Sequence, residues 1–372
     1  MKLTLISFSP TGWIDEGGAV TLLTIDGAHG EGGGQILRTS LSLSCILQRG
    51  CNIVRIRAGR KKPGLLPQHL ASVLSAQKIS DADVKGNEFG SSSLVFQPRA
   101  LREGRYLFDV ARERGSAGSV SLVLSTLLPP LVYAPGPSHI TVKGGTHVPF
   151  SPSFQFVDEV LLDLLLRMGV QAEVQLVRYG YYPMGGGEVR LRVEPSRELT
   201  GLHLTDKGTL KAIRGVSAVS NLPRSVAERQ RQQALHRLQE KGMDVEIEVR
   251  SESARGKGTF FFLAADFDGL LCGFSALGAK GKRAEQVADE AVEALFHHTA
   301  RPGAIDPHLA DQILIYAVLA RGRTVFTTSK VTHHMMTNAW VIEQFLGTRV
   351  KVEGELGAPG RVEVEGVGHR SG

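Results

Sequence analysis

Two histidines stand side by side in TSKVTHHMMTN, residues 328–338, where a strand ends near Thr328 and a helix begins near His333. Thr332 is placed to cap that helix, so His334 falls in its first turn, where free N–H groups favour a phosphate. A positive helix end also lowers a histidine's pKa and keeps the imidazole neutral, the form that can attack phosphorus. The other roles open to the pair are capping and metal binding. Adjacent residues diverge on a helix, which makes them a poor chelate.

Four further segments hold residues that could do chemistry. GEGGGQILR, residues 30–38, sets glycines before a helix and so lets the backbone approach an anion. No Gly-Lys-Ser/Thr closes it and the G-x-G-x-x-G order fails, so it is neither a Walker loop nor a dinucleotide fingerprint. Glu31 beside such a cradle would repel phosphate unless a cation lay between them. An Mg²⁺ bridging Glu31 and nucleotide phosphates resolves the conflict; a tight turn whose Glu favours the helix N-terminus is the alternative. RIRAGRKKPGLLPQHL, residues 55–70, packs five cations into eight residues: Arg55, Arg57, Arg60, Lys61 and Lys62. Strand alternation would put Arg55 and Arg57 on one face and the rest in the connection to a helix. Such clustering suits phosphates, or a basic solvated loop. GGTHVPFSPSF, residues 144–154, is followed by Phe156; Pro152 and Phe156 at a helix start form either a slot for a nucleobase or ordinary helix-start packing. In IDPHLADQ, residues 305–312, Asp306 is a good N-cap and Pro307 suits the first helical position. His308, Asp311 and Gln312 then share one face, which base edges and ribose hydroxyls would satisfy, as would water.

The elements that must position these residues repeat. The first copy runs strand 19–27, helix 35–47, strand 51–59, a helix from about Leu66 to Ile79, and a hairpin across 82–98. The second begins with the strand RYLFDVA and the loop RGSAGS. It continues through helix 120–134, strand 139–144, helix 153–169 and strands 171–177 and 188–194. The third begins at helix 308–320, then strand RTVFTTS, a helix from His333 to Leu346, and the strands RVKVEGE and RVEVEG. Strand runs are rich in Val, Ile and Thr with period two, and helices carry apolar residues three and four apart; in 153–169 these are Phe156, Val160, Leu161, Leu164 and Leu165. The expected fold is α/β (α+β): each unit is a sheet with one face covered by two helices, and three such units can pack their helices inward to share one core. Residues 205–300 break the rhythm with strands at 210–219, 244–250, 258–265 and 270–276 and helices at 223–241 and 282–298, and are read as a smaller inserted α/β domain. The catalytic domain is then 22–204 with 301–366. The charges of helix 223–241 make a solvated face or, less simply, an RNA-facing one.

Composition sets the outer limits. The 372 residues are 42% apolar and 22% charged, as in a globular protein, with a formal charge of +6 that permits a polyanionic partner. No apolar run is long enough to span a bilayer. Three cysteines, Cys45, Cys51 and Cys272, make neither a disulfide framework nor a zinc spacing, and buried thiols in a reducing cytoplasmic compartment fit. Residues 1–21 resemble no targeting peptide and read as a poorly ordered extension.

Taken together, DGAHGEGGGQILR, IRAGRKKPGLLPQHL, GSAGS, GGTHVPFSP, YYPMGGGEV, HLADQ and HHMMTN, in that order, closely resemble the RNA 3′-terminal phosphate cyclases over about residues 22 to 366. The resemblance implies three βαβαββ repeats sharing a helical core plus one inserted α/β domain, and ATP-dependent conversion of an RNA 3′-terminal phosphate to a 2′,3′-cyclic phosphodiester, through an adenylyl-histidine and an RNA(3′)pp(5′)A intermediate. The partners it implies are ATP, an RNA ending in a 3′-phosphate, and Mg²⁺ or Mn²⁺, in a monomer or homodimer. His334 matches the histidine that takes AMP, and His308, Leu309, Ala310, Asp311 and Gln312 match the ATP-binding segment. Pro152 and Phe156 match an adenine slot, Glu31 the metal-binding glutamate, and Arg38, Arg57 and Gln68 residues near the phosphates, with Arg60 beside them. Two departures matter. Ser125 stands where some members have a glutamine that touches ATP and reaches less far, and His308 stands where some have a tyrosine. A non-catalytic RNA-binding relative would share the fold but lose the nucleophile. An enolpyruvyl transferase would share similar repeats but clamp phosphoenolpyruvate with Lys and Arg and form no histidine adduct.

Overall fold

The computed structural model describes residues 22–110 and 117–371. The expected extension over 1–21 and the Gly115–Ser116 part of GSAGS lie outside these residues.

The first unit is β1 (Leu23–Asp26), α1 (Gly34–Leu47), β2 (Cys51–Val54), α2 (Pro67–Ser80), β3 (Asp83–Lys85) and β4 (Leu94–Gln97). Its sheet order is β1-β2-β4-β3, with β1 and β2 parallel and the other pairs antiparallel. The second unit repeats that plan. It comprises β5 (Gly104–Asp109), α3 (Val120–Leu131), β6 (Ser138–Gly144), the π-helical turn Phe156–Leu161 running into α4 (Leu162–Arg167), β7 (Gln171–Arg178) and β8 (Gly187–Glu194), in the order β5-β6-β8-β7. The third has a first strand that its sequence hides: β9, only His203–Leu204, pairs in parallel with β14 (Arg321–Thr328). Chain order then resumes more than a hundred residues later with α7 (Pro307–Leu319), β14, α8 (His333–Leu346), β15 (Lys351–Glu353) and β16 (Gly360–Val367), sheet order β15-β16-β14-β9. All three are βαβαββ units.

Between β9 and α7 the chain builds a fourth sheet. It consists of β10 (Leu210–Ser220), α5 (Arg224–Gln239), β11 (Glu246–Ser251), β12 (Gly258–Phe267), β13 (Leu270–Leu277) and α6 (Ala284–Thr299), ordered β11-β10-β12-β13. The near-continuous apolar run of β12 has a reason: both its faces are buried. Phe260, Phe262 and Ala264 join the core of the three units, while Phe261, Leu263, Ala265 and Phe267 join a second core under α5 and α6. The charged side of α5 is spent largely on α6, with Arg229 on Glu285 and Arg237 on Asp289 and Glu293.

At the centre, α1 packs on α2, α3 and α8, and α7 packs on α8 and α3. α1 is buried almost all round, so its serines need partners; Ser42 donates to the Thr126 carbonyl on α3 at 2.8 Å.

Two local expectations fail. β2 ends at Val54 rather than Gly59. The chain turns at Arg55 (φ 52°) and Arg57 (φ 54°), both in the left-handed region, so these residues do not alternate on one strand face. Bidentate contacts from Arg55 to Asp26 at 2.5 and 2.9 Å, and from the Ile56 amide to the Ser92 carbonyl, hold that turn over Gly27. The helix expected over 153–169 contains the π turn, whose Leu162 amide reaches back to the Val157 carbonyl. The extra residue lets Phe156, Val160, Leu161, Leu164 and Leu165 all turn inward, and all five are buried.

Candidate functional site

The glycine loop after β1 lies antiparallel along the first two turns of α8, and three rungs fix its register. The His29 ring stacks on Trp340 with centroids 3.9 Å apart. Gly30, at φ 56°, brings its backbone so close that a Cβ would sit 3.0 Å from Thr337 Oγ1. Glu31 Oε2 lies 3.2 Å from His334 Nδ1. One loop residue thus matches each helical turn, through 340, 337 and 334. The other oxygen of Glu31 is taken by Arg60. A carboxylate only accepts, so a proton shared across this contact would sit on Nδ1 and leave the lone pair on Nε2.

The His334 pKa is lowered, as its place in the first turn of α8 leads one to expect, but burial is the largest cause. Glu31 opposes the shift, while Arg38, His308 and Arg60 support it. Thr332 caps α8 by accepting from the Met335 amide at 3.0 Å, and its hydroxyl donates to Asp311 Oδ1 at 2.5 Å. Burial pushes the Asp311 carboxyl up to about 8, with Asp306 and Glu31 adding repulsion.

Arg38 projects from α1 and is buried. Its Nη2 donates to Gln35 at 2.8 Å, and burial brings its pKa down to about 10. Gly34 makes room at the helix start: a Cβ there would fall 2.4 Å from His69 Nε2 and 2.8 Å from Arg38 Nη1. His69 Nδ1 accepts from the Leu66 amide, and burial with the nearby Arg38 and Arg57 brings its pKa down to about 3, leaving it neutral. Among the described residues, the buried Nε atoms of Arg38 and Arg60 find no hydrogen-bond partner. Unpaired buried guanidinium donors at a helix N-terminus are what phosphate oxygens would satisfy.

The remaining expected residues divide. Phe156 is buried with its ring edge-on to His308, centroids 6.4 Å apart, so the proposed base slot and α7 meet, and half-buried Pro152 stands at the same helix start. Asp306 caps α7 through the His308 and Leu309 amides, and Gln312 Nε2 donates to the His308 carbonyl at 3.2 Å. Leu309 and Ala310 point into the core and offer no side chain to a ligand. Arg57 spends one Nη on the Lys62 and Gly64 carbonyls and shapes its loop. Gln68 stands against Gly118, and the Ser125 hydroxyl turns back to the Leu122 carbonyl at 3.0 Å.

Residue patterns alone missed three parts of the site. His69 is one residue from Gln68 in PQHL. Trp340 stands six residues after His334, on the face the loop covers. Asn338 ties three helices, accepting from Thr39 at 2.7 Å and Gln35 at 2.9 Å and donating to the Asp311 carbonyl at 3.0 Å. Buried polar residues at helical spacing from the histidine were the available signal.

Among the described residues no group of three or more His, Cys, Asp or Glu could hold a metal by itself. Glu31 alone suits an ion of the Mg²⁺ kind, which takes one or two carboxylates plus substrate phosphates rather than a protein cage.

The sequence model of one family, RNA 3′-terminal phosphate cyclase, matches residues 29–352. A protein named RNA 3′-terminal phosphate cyclase from Methylococcus capsulatus is 47% identical over 351 residues, 93% of this chain and 97% of that one. Its namesake from Nostoc punctiforme is 44% identical over 89% of this chain and 96% of its own, and that from Archaeoglobus fulgidus is 44% identical over 90% and 98%. Among solved structures, the enolpyruvyl transferase NikO from Streptomyces tendae aligns with 94% of this chain and 49% of its own, at 11% identity and a TM-score of 0.38, too low to carry an argument.

Proposed function

The chain belongs to the RNA 3′-terminal phosphate cyclase family, and from that premise we propose that it closes an RNA 3′-phosphate into a 2′,3′-cyclic phosphodiester by way of AMP carried on His334. Family membership makes ATP the co-substrate and RNA the acceptor. The observation that carries the histidine chemistry is the contact of Glu31 with His334 Nδ1 at 3.2 Å, which would hold a neutral imidazole with its lone pair on Nε2 toward the phosphate.

A 2′-hydroxyl beside a 3′-phosphate is already positioned to attack, but oxide is a prohibitive leaving group. Adenylation replaces it. His334 Nε2 attacks the α-phosphorus of ATP, forming an N–P bond and releasing pyrophosphate. An oxygen of the RNA 3′-phosphate then displaces the histidine, giving RNA(3′)pp(5′)A. The 2′-hydroxyl, losing its proton, attacks the inner phosphorus and AMP leaves. Arg38 and Arg60, whose Nε atoms are unpaired, stabilise the charge on the phosphoryl oxygens from fixed positions. His308, Asp311, Gln312, Pro152 and Phe156 hold the nucleoside, and Gln68, Arg57 and Ser125 border the phosphates. An Mg²⁺ or Mn²⁺ held by Glu31 and phosphate oxygens would supply charge neutralisation. In this proposal residues 22–204 and 301–366 are the catalytic body and 205–300 an insert that braces it. Three free, buried cysteines suit a reducing cytoplasmic setting.

The test is incubation with α-labelled ATP and Mg²⁺ in the absence of RNA. An acid-labile, alkali-stable label is expected on the denatured polypeptide and absent from His334→Ala. RNA ending in a 3′-phosphate should discharge it and acquire a cyclic end. A label retained by His334→Ala would rule out this nucleophile.

A further inference from the structure

The outer face of the second sheet carries a charge arrangement that adenylation does not use. Glu188 opens β8 between two neighbours: its cross-strand partners are Lys143 on β6 and Arg178 on β7. Arg190, two residues along the same strand, faces the same side. All three cations converge on this one carboxylate, Arg190 at 3.7 Å and Lys143 and Arg178 at 3.9 Å. At those distances none of the pairs is a hydrogen bond. The Glu188 side chain is only 14% exposed, whereas the Lys143, Arg178 and Arg190 side chains are 40%, 38% and 58% exposed. With Asp109 on β5 in register with Lys143, these three cations stand among two carboxylates, and the group carries a net positive charge turned to solvent. Nε of Arg178 is held by the Gly186 carbonyl at 2.7 Å, and exposed Arg255 lies across Gly186, where a Cβ would meet its Cδ at 2.4 Å.

The cluster lies at the end of β6 from which the chain runs on to the proposed nucleotide site. Lys143 precedes Gly144, which lies so close to Gly118 that a Cβ would fall 2.6 Å from its carbonyl oxygen, and Gly118 in turn stands against Gln68. Past Gly144 the chain leads to Pro152 and Phe156. A surplus of cations beside the place where an RNA end must react fits a polyanion better than a sheet face kept for stability, since like charges gathered there cost folding energy.

We propose that Lys143, Arg178 and Arg190 bind backbone phosphates of the RNA upstream of its 3′ end, making this sheet face the track along which the strand enters. This rests on the cyclase function proposed above, and the two can fail separately. The experiment measures binding of an oligoribonucleotide ending in a 3′-phosphate across a salt series, alongside RNA-free labelling by ATP. In a Lys143→Ala/Arg190→Ala double variant, RNA affinity should fall about tenfold. The slope of log affinity against log salt should become shallower by roughly 0.7 for each cation removed, and RNA-free labelling should be unchanged, which also shows that the variant folds. Glu188→Gln, which removes the carboxylate shared by all three cations, should bind RNA more tightly; a purely structural role predicts no gain. An unchanged salt slope in the double variant, or weaker binding by Glu188→Gln, overturns the track. Absence of label in the unmodified enzyme would instead overturn the adenylation chemistry and leave the binding result standing.

Discussion

At the residue scale, the site depends on how few atoms share one carboxylate. Glu31 contacts His334 through one oxygen and Arg60 through the other, so its charge would steady the proposed nucleophile and a proposed phosphate ligand together. The sign of the pH dependence follows. Burial and nearby cations hold His334 below the ordinary imidazole value of 6.5, so the imidazole stays neutral as pH falls through that value. Adenylation should therefore persist into mildly acidic buffer. Glu31 is the contribution that raises this pKa, so Glu31→Gln should shift the acid limb further down while slowing adenylation about 10- to 100-fold, because the imidazole loses its orienting partner. Single-turnover labelling between about pH 5 and 8 checks both effects. An acid limb moved upward would mean that Glu31 does not govern the histidine, and an unchanged Mg²⁺ dependence in the same variant would remove Glu31 from the metal site.

At the scale of elements, three helices must agree for His334 to meet the glycine loop. Asn338, one turn along α8 from His334, accepts from Gln35 and Thr39 on α1 and donates to a carbonyl of α7. Replacing it with alanine leaves these buried groups unpaired, and each unpaired group costs about 1–3 kcal/mol. Asn338→Ala should lose about 2–3 kcal/mol in urea unfolding and slow adenylation, with ATP affinity changed less. Retention of full stability would mean that water or a rearranged Gln35 takes its place. Thr332 works at the same scale. It caps α8 and contacts Asp311 on α7, so the start of the helix that carries His334 is tied to the proposed nucleotide-binding segment.

At the scale of the whole molecule, the sheet between β9 and α7 is not an appendage. Its β13 lies behind the proposed base slot: the Gly273 amide is 3.4 Å from Asp306 Oδ2, and a Cβ at Gly273 would meet Phe156 at 2.8 Å and Val160 at 2.9 Å. Gly273→Ala should therefore push Phe156 toward the nucleotide and raise the KM for ATP severalfold, with a stability loss of about 1–3 kcal/mol from overpacking. Phe261→Ala, in the second core, is the contrast. It should cost about 3–5 kcal/mol with little change in KM, as read from denaturant unfolding and ATP titration. Equal KM changes in the two variants would mean general loosening, not a brace on the slot.

What the sequence determined by itself was whatever local chemistry fixes. Period-two and helical patterns gave the element order of the first two units and all but the first strand of the third, because burial of one face is written residue by residue. Asp306 and Thr332 announced their caps, and the ordered motifs announced the family. Tertiary structure decided the rest. β9, at two residues, carries no pattern of its own and becomes a strand only by pairing with β14. Arg55 and Arg57 leave β2 because Asp26 and the backbone over Gly27 offer better partners than the ladder. Glu31, Arg60 and His334 lie as far as 303 positions apart in the chain, and only the docking of the glycine loop on α8, held by His29 on Trp340 and by Gly30 against Thr337, makes them neighbours. Spacing along a chain specifies what each residue can do; contacts closed by packing specify which residues do it together.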